Sequence, residues 1–226
     1  MSRKDRSQQS NTQTRNSLVA AAVGVLVLVA LAATFLYPRD ETPSAQTGVD
    51  ERSAALESAL SPTIGPPNAK VHIVEFLDPA CETCAMFYPM VKNWMKEVPD
   101  QIRLTVRHVA FHAGSEHAVK VLEASRKQDK YWQTLEALLA SQQQWVQNHT
   151  VMPDRILPAI ASVGLDVAQL EADMNSVEVM QRMEKDKKDS IVLKVAATPE
   201  YFVNGRPLPS FGQQQLANLV REELQK

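Results

Sequence analysis

Charge imbalance, internal repeats and cysteines are all scarce in this chain. Lysine and arginine number 24 against 26 aspartates and glutamates, a net charge of −2 at pH 7. That balance gives no reason to expect nucleic acid or any strongly charged partner. No internal repeat or long low-complexity tract is present, and the 226 residues, 44% hydrophobic and 22% charged, suffice for one domain with a real core plus appendages. There are only two cysteines, Cys81 and Cys84, and neither lies near the apolar N-terminal stretch, which excludes a lipidated cysteine anchor there. The five histidines form no pair matched to a zinc site, although His108 and His112 are spaced i, i+4.

What is present begins with an apolar run. Residues 1–17 are a polar tail carrying Arg3, Lys4, Arg6 and Arg15 against Asp5. Leu18 to Tyr37 is then uncharged over 20 residues, long enough to cross a bilayer as a helix. Arg39, Asp40, Glu41, Asp50 and Glu51 follow, so the positive-inside rule keeps the N-terminus cytoplasmic and exports the rest. Ala30-Leu31-Ala32 has the spacing of a signal-peptidase site, and a cleaved signal peptide is the competing reading. The apolar run continues past it to Tyr37, beyond the roughly 7–15 residues of a signal-peptide core, which favours an uncleaved signal-anchor at 18–37. The expected location is therefore the cytoplasmic (inner) membrane, single-pass, with the folded domain in the periplasm or an extracytoplasmic space. Residues 38–61, rich in Pro, Ser, Thr, Gln and charge, read as a tether with a short helical stretch over 54–60. The folded domain is expected over 62–226.

The chain is organised around Val71 to Pro89. Val71, Ile73 and Leu77 share one face of a strand and Val74 and Phe76 the other, the pattern of a central strand covered on both sides. After Asp78-Pro79, the spacing of Phe87, Met90, Val91 and Trp94 becomes helical. The C-x-x-C pair sits at that handover. Cys81 lies near the helix N-terminus, where unpaired amides and the helix dipole stabilise a thiolate, and Cys84 lies one turn further in, close enough for a disulfide. A bridge across two residues removes little unfolded-state entropy, so it is a poor staple. Dithiol/disulfide exchange is the better reading. Glu75 falls on the Val71–Ile73–Leu77 face of an otherwise apolar strand. Burial there raises a carboxyl pKa and equips it to relay the proton that Cys84 must lose or gain.

Downstream, Ile102 to Val109 alternates as a second strand. Helical stripes follow at Ala118, Val121 and Leu122 and at Trp132, Leu135, Leu138 and Leu139. Asp166 is a plausible N-cap for a helix holding Leu170 and Met174, and another helix runs from Ser176 to about Val192. Pro158 should bend or interrupt the segment around Ile156 to Val163. Tyr201–Val203 and Arg206–Leu208 flank Asn204-Gly205, a hairpin signal, before a closing helix over Gln213 to Leu224.

Strand, C-x-x-C, helix resembles the thioredoxin superfamily. The string from Ser61-Pro62 through Gly65 to Asn68-Ala69-Lys70-Val71-His72-Ile73-Val74-Glu75-Phe76, together with Ala197-Thr198-Pro199-Glu200-Tyr201-Phe202-Val203-Asn204-Gly205, is similar to its DsbA-like branch over about residues 61–226. The resemblance implies an α/β thioredoxin fold with an inserted helical subdomain at about 112–193, here preceded by one transmembrane helix. It implies a cis Thr198-Pro199 bond in a loop that faces the cysteines and binds extended substrate. It also implies Cys81 as nucleophile, Cys84 as resolving thiol in a Cys81–Cys84 disulfide, and Glu75 as proton relay. Glu82 and Thr83, between the cysteines, would modulate the couple, since strongly oxidising members carry Pro-His there. Ala196-Ala197 departs from the usual glycine-containing approach to the proline. No cofactor is expected. Partners would be cysteine-containing exported proteins, a membrane redox protein that resets the pair, and the membrane through residues 18–37. A Cu(I) metallochaperone using the same thiolates, or a structural domain whose disulfide never cycles, are the alternatives. His108, His112 and His117 read as surface or strand-end residues rather than metal ligands. Met174, Met180 and Met183 read as core, while Met86 and Met90 could line a substrate groove.

Overall fold

Branched and aromatic residues concentrate in two short stretches, and those become neighbouring strands. The computed structural model describes residues 45–226. In chain order they form α1 (Ala45–Leu56), β1 (Thr63–Ile64), β2 (Val71–Leu77), α2 (Glu82–Glu97) and β3 (Ile102–His108). Then come α3 (Ser115–Ser125), α4 (Tyr131–Ala140), the single turn α5 (Gln142–Trp145), the hairpin β4 (Val146–Gln147) and β5 (Thr150–Val151), α6 (Pro153–Ala159), α7 (Val167–Asp173) and α8 (Val177–Val192). The chain closes with β6 (Glu200–Val203), β7 (Arg206–Pro207) and α9 (Gln213–Gln225). Everything discussed below lies in the compact unit Gly48–Lys226.

The main sheet has the order β1-β3-β2-β6-β7. β2 runs parallel to β3, with Val71 opposite Ile102, and antiparallel to β6, with Glu75 opposite Tyr201. Being central, β2 is buried on both faces, as its apolar pattern required. Val71, Ile73 and Leu77 join the larger core with residues of α2, α3, α4 and α9, while Val74 and Phe76 join Ala55, Val109, Leu193, Val195 and Phe202 beneath the sheet. The helices α3 to α8 lie between β3 and β6, so the expected helical insertion into a thioredoxin-like α/β fold is present. Asp166 caps α7 by accepting from the Gln169 amide at 3.0 Å, and Ser176 caps α8. Asn204 and Gly205 both take positive φ (47° and 79°), the two-residue turn the hairpin signal predicted.

Two expectations need correction. The short helix expected over 54–60 lies earlier, at Ala45–Leu56, because Ala55 and Leu56, not the 49%-exposed Leu60, pack under the sheet. Buried Arg107 donates to the Ala55 carbonyl (2.7 Å) and to the carboxylates of Asp186 (2.5 Å) and Asp189, tying this part of the presumed tether to β3 and α8. His108 is the strand-end residue expected, and the inserted helices bury it at the end of β3, where its Nε2 pairs with the Tyr131 hydroxyl at 2.7 Å. Met180 is exposed rather than core, since α8 turns it away from the sheet. The cytoplasmic tail 1–17 and the membrane span at 18–37 lie outside the described residues, among which no helix is long and apolar enough to cross a membrane.

Candidate functional site

The turn after β2 ends where α2 begins, and Cys81 occupies the N-cap position without a side-chain cap of its own. Its sulfur therefore meets the unpaired amides of the first helical turn. Cys81 is 5% exposed, Cys84 fully buried, and both thiols are free, so the structure describes the reduced form of the pair. Donation from the Cys84 thiol, then from the Thr198 side chain and the Cys84 and Thr83 amides, outweighs burial and brings Cys81 down to about 5. Burial, followed by the hydrogen bond to Cys81 and the negative charge of Glu75, pushes Cys84 far up. One thiol is held as the anion and the other as the acid.

Glu75 lies on the same strand face and is completely buried. Its Oε1 accepts from the Tyr201 hydroxyl at 2.9 Å across the β2–β6 pair, while Oε2 has no partner. Desolvation raises Glu75 to about 8; the Tyr201 bond works against this and the Cys81 charge adds to it. A carboxyl that titrates near neutrality beside two thiols suits proton transfer. Thr198-Pro199 is cis, as expected, and in the thiol form Cys81 Sγ donates to the Thr198 carbonyl at 3.2 Å. The loop between α8 and β6 thus meets the first turn of α2, joining residues 117 positions apart. Among the described residues no histidine, aspartate or glutamate joins the two thiols in a cluster of three or more metal-ligating side chains.

The sequence model of the family described as Thioredoxin matches residues 57–222. The chain belongs to the thioredoxin family. Within that superfamily it is DsbA-like: it is 26% identical over 211 residues to the thiol:disulfide interchange protein DsbA of Bordetella parapertussis, covering 89% of this chain and 88% of that protein. A thioredoxin-like oxidoreductase from Silicibacter pomeroyi superposes with a TM-score of 0.66 at 26% identity, covering 77% of this chain and 98% of that one. The Na(+)/H(+) antiporter NhaA of Herminiimonas arsenicoxydans is 29% identical over 196 residues, 83% of this chain but only 30% of the antiporter. The chain thus spans less than a third of that relative's length.

In this DsbA-like chain several site residues escaped the sequence. Asp78, at the end of β2, is fully buried and accepts from the amides of Ala80, Phe111 and His112, from His112 Nδ1 at 2.8 Å, and from the Ser115 hydroxyl. One carboxylate thereby anchors the cysteine turn to the loop before α3. Nothing in the sequence marks it, since all its donors but the Ala80 amide lie more than 30 residues on. Glu82, between the cysteines, is solvent-exposed and lies 3.3 Å from His149 of the β4–β5 turn, so a partner absent from the local sequence is supplied from a distance. Thr83 contributes its amide to the Cys81 sulfur. Of the two methionines, Met86 is 60% exposed while Met90 packs against the core. The exposed apolar surface is extended by Phe211, which stacks on Phe87 (5.2 Å), itself stacked on Tyr201 (6.0 Å).

Proposed function

We propose that the chain is a membrane-tethered thiol:disulfide oxidoreductase acting on cysteines of exported proteins or on the dithiol of a partner redox protein. The observation that carries this reading is the unequal pair, with Cys81 lowered to about 5 at a helix N-terminus and a buried, protonated Cys84 behind it. The Cys81 thiolate attacks one sulfur of a substrate disulfide, forming a mixed disulfide and expelling a substrate thiolate. Cys84 then gives its proton to Glu75, attacks the Cys81 sulfur, and expels the second substrate thiolate. The pair ends oxidised by two electrons and the substrate reduced by two. Run backwards, the same steps oxidise a substrate dithiol, and Glu75 returns the proton to Cys84. The Thr198-Pro199 loop borders Cys81 and offers backbone groups to an extended substrate. No cofactor takes part. A membrane redox protein resets the pair, and residues 18–37 hold the domain on the extracytoplasmic face of the inner membrane.

Trapping tests the division of labour. Cys84→Ala should accumulate mixed disulfides with substrate proteins on non-reducing gels, and Cys81→Ala should not. Equal trapping by both variants, or trapping through Cys84 alone, overturns the assignment.

A further inference from the structure

Beside the cysteine pair three elements converge on a second set of polar side chains. Glu82 comes from the first turn of α2, His112 from the loop before α3, and His149 from the tip of the β4–β5 hairpin. One ligand atom from each lies within 4.8 Å of the others. The two imidazole rings face each other at an interplanar angle of 30°, with centroids 6.3 Å apart. Glu82 Oε1 and His149 Nδ1 are already 3.3 Å apart, about the edge of a tetrahedron with ~2.0 Å metal bonds.

Two further features hold this arrangement. Asp78 Oδ2 accepts only, so its 2.8 Å contact fixes His112 with Nδ1 protonated and leaves Nε2 as the free donor atom. A buried carboxylate behind an imidazole is how proteins orient a histidine ligand. His149 sits at φ 58°, directly after Asn148 at φ 49°. That second position of a tight hairpin turn favours glycine, and here it presents an imidazole instead. The Val151 amide donates to the Ala113 carbonyl at 2.8 Å, clamping the hairpin to the loop that carries His112.

We propose that Glu82, His112 and His149 form a site for a divalent transition cation of the zinc type, distinct from the two thiols. Two imidazoles and a carboxylate suit Zn²⁺, and three protein ligands leave its fourth position open to water. The exposure of Glu82 and His149 gives the ion a path in. An ion there neutralises the one charged side chain that separates the two cysteines in sequence. This proposal does not depend on the redox reading, because none of its ligands is a sulfur.

The test is calorimetric titration of Zn²⁺ into the full chain bearing Cys81→Ser and Cys84→Ser, so that thiolates cannot bind. One equivalent should bind saturably. His149→Gln and Glu82→Gln, both at exposed positions that leave the fold intact, should each weaken it about 10–100-fold, whereas the remote His117→Gln should not. Absorption of bound Co²⁺ in place of Zn²⁺ should report nitrogen and oxygen donors and change in His149→Gln. Absence of saturable binding up to 1 mM Zn²⁺, or binding untouched by both single variants, overturns the proposal and leaves an ordinary histidine–carboxylate ion pair.

Discussion

At the scale of single residues, protonation governs this site. Folding burial holds Glu75 near 8, whereas an ordinary glutamate lies at 4.5. Its raised value means the folded chain retains a proton that the unfolded chain releases between about pH 4.5 and 8. The stability it contributes is therefore whole below the lower value and lost as pH climbs through the upper one. Cys81 works in the opposite sense: lowered to about 5 from 9, its contribution is present above the higher value and lost as pH falls through the lower. The windows overlap, so the reduced protein hides both, and the oxidised protein, whose sulfurs no longer titrate, isolates Glu75. In oxidised protein, Glu75→Gln should unfold in urea at the same midpoint as wild type near pH 4. At pH 8 it should be more stable, by an upper bound of about 4–5 kcal/mol. The same change should slow release of the mixed disulfide by about 10–100-fold at neutral pH, since Cys84 then lacks its proton acceptor. A stability difference that shrinks with rising pH contradicts the relay.

At the scale of elements, the decisive join is between the β2–α2 turn and the loop before α3. Asp78 makes it, satisfying three backbone amides, an imidazole and a hydroxyl from one buried carboxylate. Asp78→Ala leaves those donors unpaired, the Ala80 amide and Ser115 hydroxyl among them buried, and should cost roughly 3–5 kcal/mol in urea unfolding. It should also raise the Cys81 pKa, read by thiolate absorbance near 240 nm, as the turn that presents Cys81 loosens. A variant as stable as wild type would show that the two loops hold without it. The elements themselves were largely legible: β2 from its two apolar faces, β3 from alternation, α7 from its Asp166 cap, α8 from its start at Ser176, and the final hairpin from Asn204-Gly205. The Asp78 network was not, because hydrogen bonds between residues more than 30 positions apart leave no periodic trace.

At the scale of the whole molecule, the sites of origin of the charges around Cys81 set its redox poise. A thiolate at about 5 lies between the values of thioredoxin, about 7, and of DsbA, about 3.5. The reduction potential should accordingly fall between roughly −270 and −120 mV in a glutathione equilibrium. Glu82 opposes the thiolate, but its exposure and its pairing with His149 screen it. Glu82→Gln should shift the couple toward oxidising values by only about 10–30 mV. A potential at or above the DsbA value, or a shift of opposite sign, refutes this. The N-terminal segment is tested separately: the protein should stay in membranes after an alkaline carbonate wash and keep its first residues on N-terminal sequencing. A mature chain starting near Ala33 would make residues 18–37 a removable signal.

The sequence by itself determined the local chemistry of this protein. A strand apolar on both faces, ending in C-x-x-C at a helix start, dictates a buried thiol next to a thiolate, because side-chain period and helix-end amides are properties of contiguous residues. Glu75 was legible for the same reason, through its place on a buried strand face. Only the tertiary structure decided who stands opposite: Tyr201 against Glu75, Thr198 against Cys81, Asp78 under His112, and His149 over Glu82. Those partners come from chain segments brought together by sheet pairing and by the inserted helices. A partner supplied across space has no signature in the residues beside the one it meets.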